Sequence, residues 1–194
     1  MLSSISPVGE HARQQRWGLT AGAYLLGSMA GGALVGALAG GLGQLLVSGV
    51  AADTRLALLG GSALLGLGLD ATVGVPSLHR QVDERWLTTY RGWVYGGGFG
   101  LQLGTGIVTI IPASVVYATW VGAALTAHVA AGALVGLVFG TARALPLVAA
   151  GRVRSVSALR RTLARMDRVR GRVARSTAVG QATIGVTALA LAVS

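Results

Sequence analysis

The chain has 194 residues, of which 53% are hydrophobic and only 11% are charged. Soluble domains carry about 25% charged residues, so this composition excludes an ordinary water-soluble domain and indicates a membrane protein. There is no cysteine, which excludes disulfides, thiolate metal sites and thiol redox chemistry by this chain. The formal net charge of +10 comes from 16 arginines, and nine of them lie within residues 152–175. Because the positive-inside rule accounts for that bias, we predict no nucleic-acid binding.

Residues 1–16 are polar and are predicted to form a cytoplasmic N-terminal segment. The segment lacks the features of a signal peptide, and His11 is expected to be solvated rather than a metal ligand. Residues 17–194 are predicted to form a single transmembrane domain. Its first uncharged run covers residues 17–52, and we expect a membrane helix over residues 17–46.

Three of the apolar runs contain glycines spaced four residues apart. Residues at this spacing share one face of a helix, and small residues there allow two helices to approach closely in lipid. We therefore predict helix packing at Gly32, Gly36, Gly40, Gly96, Gly100, Gly104, Gly132, Gly136 and Gly140.

The second predicted span, residues 56–76, contains Asp70. A carboxylate inside a membrane points to a functional site that carries a proton or another cation. Alternatively, the helix ends near Leu69 and Asp70 is already interfacial, since the apolar run of residues 56–69 is short for a span. The sequence leaves both interpretations open.

The third predicted span covers residues 93–122 and is expected to be broken near Pro112, because proline removes a backbone hydrogen bond. Broken helices build many transporter sites. We therefore predict that Gln102, Thr105, Thr109 and Pro112, together with Asp70, form a substrate pathway. A simple kink relieved by Thr105 or Thr109 is the alternative.

The fourth span is predicted over residues 129–149 and the last over residues 177–194. Between them, residues 152–176 show apolar residues at steps of three or four, with arginines on the other faces. This pattern predicts an amphipathic cytoplasmic helix that lies in the interface and contacts anionic lipid headgroups. The arginines assigned to lipid are Arg154, Arg160, Arg161, Arg165, Arg168 and Arg172. Arginine-rich flanks place the N-terminus inside and the C-terminus outside the plasma membrane.

Two segments, residues 61–76 and 131–146, align without gaps at an offset of 70 residues. They share Ala, Leu, Gly, Leu and a terminal Pro. An internal duplication would suit a transporter. Chance similarity is the alternative in a sequence so rich in these residue types.

Several segments resemble a known family. GFGLQLGTGIVTIIPASVV (residues 98–116) is similar to the broken helix of the CcdA/DsbD transmembrane family of cytochrome c biogenesis, within the LysE-type transporter group. LVGLVFGTARALPLVAAG (residues 134–151) resembles the family's next helix, and RMDRVRGRVARSTAVGQATIGVTALALAV (residues 165–193) its basic segment and last span. AGAYLLGSMAGGALVGALAGGLGQLL followed by LALLGGSALLGLGLD looks like its second and third helices.

The resemblance implies a bacterial carrier fold with two departures. The family's first helix is missing here, and one of its intramembrane cysteines corresponds to a position near Thr109, so thiol electron transfer does not carry over. The resemblance therefore implies a cysteine-free relative that moves a small solute. The alternative is an accessory subunit of a membrane complex, for example in redox chemistry or cytochrome c biogenesis.

Together these observations predict an all-α polytopic bundle with about five transmembrane helices, the third broken near Pro112, and one cytoplasmic amphipathic interfacial helix. No arrangement of nucleophile, acid–base pair or metal ligands appears in the sequence. We therefore expect no enzymatic activity, no cofactor and no metal. The expected partners are membrane lipids and either further copies of this chain or another membrane protein.

Overall fold

The computed structural model describes residues 5, 7–72, 85–106, 113–149, 151, 153 and 155–194. Every regular element within these residues is a helix, as predicted. In chain order the helices are α1 (Pro7–Ala12), α2 (Trp17–Val47), α3 (Ala52–Thr72), α4 (Trp86–Thr89), α5 (Gly92–Thr105), α6 (Val115–Leu125), α7 (Val129–Ala149) and α8 (Val156–Val193).

Three stretches among the described residues are long and apolar enough to cross a membrane: Trp17–Val47, Val129–Ala149 and Arg160–Val193. Helix α3 falls short of this standard because Arg55 and Asp70 bracket its apolar run. Helices α5 and α6 have 14 and 11 residues, or about 21 and 16 Å, and neither can cross a bilayer alone.

Helix α2 lies at the centre of the bundle and packs against α7 through the glycine ladders. A Cβ atom on Gly36 would overlap the carbonyl oxygen of Gly132, and one on Gly32 would overlap that of Gly136. Residue numbers increase along α2 while those of the contacted glycines of α7 decrease, so the two helices are antiparallel. Their backbones touch without intervening side chains, which is the close approach that small residues permit.

The third ladder packs α5 against another face of α2. Gly96 meets the carbonyl oxygen of Thr20, and Gly104 meets that of Ser28. Gly100 lies between them and contacts Tyr24 in the same way. The numbers rise together, so α2 and α5 run in parallel. All nine glycines of the three ladders therefore lie in contact with a neighbouring helix.

Helix α3 forms a second group with α6 and α8. Gly60 contacts Gly185 of α8, and Leu59 lies against Gly122 of α6. Both pairings are antiparallel. Helix α6 joins this group to the centre, because Gly43 of α2 packs directly on the backbone of its C-terminal end.

The third predicted span was expected to break near Pro112, but its first helix ends earlier than that. Helix α5 ends at Thr105, where Gly106 adopts a left-handed conformation with φ 68°. Glycine adopts this conformation without a steric penalty, and it commonly ends helices in this way. Helix α6 begins at Val115 and continues to Leu125 rather than to residue 122. Thr109 and Pro112 lie outside the described residues.

The C-terminal region differs from its prediction. An interfacial helix over residues 152–176 and a separate span over 177–194 were expected, but Val156–Val193 is one helix of 38 residues. Its start is capped by Ser155, whose hydroxyl accepts from the Ala158 amide at 3.1 Å. Between residues 171 and 182 there is no proline to break it. Arg154 lies outside the described residues.

Candidate functional site at an interrupted helix

The interruption before α6 leaves a helix N-terminus in need of hydrogen-bond acceptors. The first amide groups of a helix have no partner within it, and they carry a partial positive charge. Ser114 is the residue at this end, and its own side chain does not cap the helix. The acceptor comes instead from α3.

Asp70 supplies that acceptor. The backbone amide of Ser114 donates to both carboxylate oxygens of Asp70, at 3.0 and 2.9 Å. The hydroxyl of Ser114 donates to Oδ2 at 2.7 Å. Asp70 thus caps α6 from a neighbouring helix, and the positive end of α6 stabilises the negative charge of the carboxylate.

Gln181 of α8 extends this group, which we call the Asp70 cluster (Asp70, Ser114 and Gln181). The Gln181 side-chain amide donates to Ser114 Oγ and to the carbonyl oxygen of Ala63, both at 2.8 Å. Ser114 and Gln181 are each only 3% exposed, and Asp70 is half-buried. The cluster therefore ties α3, the start of α6 and α8 together.

Two of the side-chain hydrogen bonds in the cluster form a chain of donors that leads to the carboxylate. Gln181 donates to Ser114, and Ser114 donates to Asp70. Among the described residues, the carboxylate of Asp70 acts only as an acceptor, toward the amide and the hydroxyl of Ser114.

Asp70 lies inside its helix and not beyond the end of it. Helix α3 runs to Thr72, three residues beyond the end near Leu69 that one interpretation of the sequence predicted. Thr72 itself bonds back to the carbonyl oxygen of Gly68 at 2.9 Å. Asp70 therefore lies in the last turn of α3, two residues before its end, and faces α6.

The other predicted pathway residues do not join this cluster. Thr105 donates its hydroxyl to the backbone oxygen of Gln102 at 2.8 Å, which is a bond within α5. Both side chains are half-buried, and no described hydrogen bond connects them to Asp70. The structure brings Asp70 together with Ser114 and Gln181 instead, which were not among the predicted pathway residues.

A second polar cluster lies at the start of the bundle, at the end of the predicted cytoplasmic segment. Glu10 of α1 is fully buried. Its carboxylate accepts from Thr20 at 2.6 Å, from Tyr95 at 2.5 Å and from Arg13 at 2.6 Å. These residues, Glu10, Arg13, Thr20 and Tyr95, form the Glu10 cluster, which attaches the N-terminal segment to α2 and α5.

The surroundings of Glu10 are tightly packed. A Cβ on Gly92 would overlap Thr20 Oγ1, and the Gly92 amide donates to the side-chain oxygen of Gln15 at 3.0 Å. Burial alone would lower the pKa of Arg13, but its hydrogen bonds to Glu10 and Tyr95 outweigh burial and raise that pKa. Arg13 thus stays charged beside Glu10.

The N-terminal segment therefore differs from the solvated polar tail that the sequence suggested. Only His11 behaves as expected, since it is exposed. A carboxylate three residues before an arginine, just ahead of an apolar span, was the available signal for the ion pair. Its burial depends on Tyr95, which is 85 residues away in sequence. Gln181 was visible as the one amide side chain in the last apolar run.

The described residues contain no group of three or more His, Cys, Asp or Glu side chains that could hold a metal ion. Comparisons with protein-family models, with curated proteins and with solved structures find no match for this chain. The resemblance to the CcdA/DsbD family thus stays a prediction that rests on the sequence patterns alone.

Proposed function

We propose that this protein is a multi-pass carrier that moves a small solute across the plasma membrane, and that Asp70 is its proton- or cation-binding group. The observation that supports this proposal best is the position of Asp70. It is an ionisable side chain within an apolar helix, bonded to the N-terminus of an interrupted helix. Intramembrane carboxylates and broken helices are both typical of transport sites.

The proposed membrane arrangement has five crossings. They are α2, α3, α5 together with α6, α7, and the C-terminal half of α8. Helices α5 and α6 would share one crossing, because both run parallel to α2. They contain 14 and 11 residues, so each is too short to cross alone. The alternating directions of successive crossings agree with the packing, and the arginine-rich ends favour a cytoplasmic N-terminus.

The depth of Asp70 supports the same proposal. Helix α6 has 11 residues, so its N-terminus lies about 16 Å from its C-terminal end. If that C-terminal end marks the outer boundary, Ser114 and Asp70 lie near the middle of a hydrocarbon core about 30 Å thick. Irregular backbone at this depth is tolerated where it lines a cavity or is buried in protein.

The proposed mechanism is an exchange of partners at Asp70. In the described arrangement the carboxylate is bound by Ser114. A proton or a cation arriving from one side would neutralise it and weaken its hold on α6. The interrupted segment could then rearrange and expose the site to the other side, which is the alternating access expected of a carrier.

The experiment is flux through the purified protein in vesicles loaded with a pH-sensitive dye, with a potassium–valinomycin potential as the driving force. A panel of small solutes is added outside and proton movement is recorded. We expect Asp70→Asn to abolish solute-dependent proton movement. Asp53→Asn is the matched control, because Asp53 is an exposed carboxylate at the start of the same helix.

Equal flux in Asp70→Asn and the unmodified chain would contradict the role of Asp70. A well-folded protein with no flux of any solute would favour the second candidate, a non-transporting accessory subunit. The observation behind that candidate is that α8 packs chiefly on α3 and leaves most of its length uncovered. Gentle detergent extraction and mass measurement would then reveal a stoichiometric membrane partner.

A further inference from the structure

Helix α8 has two opposite faces that can be traced along its whole length. In the C-terminal half, one face packs on α3 and contains the buried residues Gln181 and Ala188. The other face points away from the bundle and contains Val179, Val186 and Val193, which are 65%, 59% and 89% exposed. These valines are the natural lipid-facing surface of a membrane helix.

The valine face continues as a row of arginines in the N-terminal half. Because the helix is unbroken, stepping back from Val179 by three or four residues stays on the same face. Those steps reach Arg175, Arg172, Arg168, Arg165 and Arg161, which we call the arginine ladder. All five are exposed. The ladder therefore faces the surrounding lipid and not the rest of the bundle.

The ladder has no acidic partner within the described chain. None of the five guanidinium groups is in a salt bridge with a described carboxylate. Asp167 is the one acidic residue in α8, and helical geometry places it on a different face. Three ladder residues, Arg161, Arg165 and Arg168, line one surface groove with Ala158 and Thr162. The positive charge is thus available to an external anion.

The depth of the ladder matches the lipid headgroups. Gln181 lies level with Ser114, which the proposed arrangement places near mid-membrane. Arg172 and Arg168 follow roughly 13 and 20 Å further along the helix axis. Half of a hydrocarbon core is about 15 Å, so these two guanidinium groups fall on either side of the boundary with the headgroups.

We infer that the arginine ladder is a binding surface for anionic phospholipids of the cytoplasmic leaflet. Guanidinium groups bind phosphate through paired, charge-assisted hydrogen bonds. The apolar part of the same helix face contacts the acyl chains, so one lipid molecule can satisfy both parts. This inference uses the proposed membrane depth but does not require that the protein transports a solute.

The test is the binding of fluorescent phosphatidylglycerol, diluted in detergent micelles, to the purified full-length protein. Fluorescent phosphatidylcholine is the neutral probe. The ladder variant Arg168→Gln/Arg172→Gln is compared with Arg160→Gln/Arg170→Gln, which removes the same charge from the same helix. The sequence pattern assigned Arg160 to lipid, but in the unbroken helix Arg160 and Arg170 lie on other faces than the ladder. We expect phosphatidylglycerol affinity to fall roughly 30-fold in the ladder variant, as for the loss of two basic residues near an anionic surface. The control pair should change it several-fold less.

Three outcomes would overturn the inference. Equal loss in both variants would show that net charge acts without a defined face. Equal binding of the neutral and anionic lipids would remove the charge requirement. Complete competition by millimolar inorganic phosphate would show a free-phosphate site instead of a lipid site. Thermal unfolding of both variants checks the fold, which exposed Arg→Gln changes should leave intact.

A second measurement is spin labelling at one position, which is possible because the chain has no cysteine of its own. Ala164→Cys places a single spin label at an exposed position beside the ladder, one helical turn before Arg168. In vesicles containing phosphatidylglycerol, we expect lower accessibility to a water-soluble relaxation reagent than in pure phosphatidylcholine vesicles. The same accessibility in both vesicle types would contradict engagement of the ladder by anionic lipid.

Discussion

Helix α2 meets α5 and α7 through backbone atoms, whereas α3 meets α6 and α8 through a chain of polar side chains. In the first group, glycine faces glycine, Thr20 or Ser28, with almost no room for a side chain. In the second group, Asp70, Ser114 and Gln181 fill the junction with hydrogen bonds. One chain thus uses both known means of association between membrane helices, close packing and polar contacts.

This difference between the two groups indicates which helices can rearrange and which cannot. Backbone packing tolerates no added atom, and it does not respond to protons or ions. The proposed function places proton or cation binding in the polar junction, where hydrogen bonds to a carboxylate join the helices. We therefore expect the α2–α5–α7 group to act as a fixed frame and the α3–α6–α8 group to carry any functional rearrangement.

The largest expected effect comes from filling the backbone contact. Gly36→Ala places a methyl group against the carbonyl oxygen of Gly132, and neither backbone can yield without separating α2 from α7. We expect a loss of about 3 kcal/mol in the free energy of unfolding, the upper end for overpacked cores. Unfolding in mixed detergent micelles, followed by circular dichroism, measures it.

The matched control is Gly22→Ala on the same helix, since a Cβ at Gly22 meets nothing within 4 Å. Alanine is the better helix former, so this variant should be neutral or more stable by about 0.5–1 kcal/mol. Similar destabilisation by both substitutions would mean that the glycines of α2 matter for helix conformation and not for contact with α7.

The next effect tests whether a side-chain contact also holds part of the frame. Glu10→Ala removes the acceptor for Arg13, Thr20 and Tyr95 at the N-terminal end of α2 and α5. Hydrogen bonds to charged groups contribute about 1.5–3 kcal/mol, so we expect a loss of about 2 kcal/mol. Limited proteolysis should also cleave the segment before Trp17 faster.

Asp53→Ala serves as the comparison, because Asp53 is exposed at the start of α3 and should leave both readouts nearly unchanged. If Glu10→Ala neither destabilises the protein nor speeds cleavage, the Glu10 cluster does not secure the N-terminal segment. The frame would then rest on backbone packing and on the hydrogen bond from the Ser28 hydroxyl to the carbonyl oxygen of Gly140.

The sequence predicted the helical class, three stretches long and apolar enough to cross a membrane, and the glycine contacts. These follow from composition and from short, regular spacing. The sequence did not show which of two neighbouring helix-breaking residues would end the helix. Both Gly106 and Pro112 can end a helix, and the structure ends α5 at Gly106. Similarly, the apolar stripe of residues 152–176 suited an interfacial helix, but nothing in the sequence showed that it would join the final span.

The polar clusters were less predictable for a physical reason. Asp70 was identifiable as a charge within an apolar run. Its partners were not, since Gln181 and Ser114 are 67 residues apart and meet only after α3, α6 and α8 have packed. The same holds for Glu10 and Tyr95. Pairings of this kind depend on tertiary structure, which local patterns do not encode.

The smallest expected effect lies in the polar junction. Gln181→Leu keeps the approximate size of the side chain but removes the donor to Ser114 and to the carbonyl oxygen of Ala63. Polar contacts between membrane helices average about 0.6 kcal/mol and reach about 1.7 kcal/mol. We expect a loss of about 1 kcal/mol, measured by the same unfolding assay.

The control for this change is Gln44→Leu, because Gln44 is exposed on α2 and should show no loss. The size of the effect decides what kind of junction this is. A loss near 1 kcal/mol, well below that of Gly36→Ala, fits a junction that can open during function. A loss as large as that of Gly36→Ala would mean that α3 and α8 are as firmly fixed as the frame. A proposed rearrangement at Asp70 would then have to occur within α6 alone.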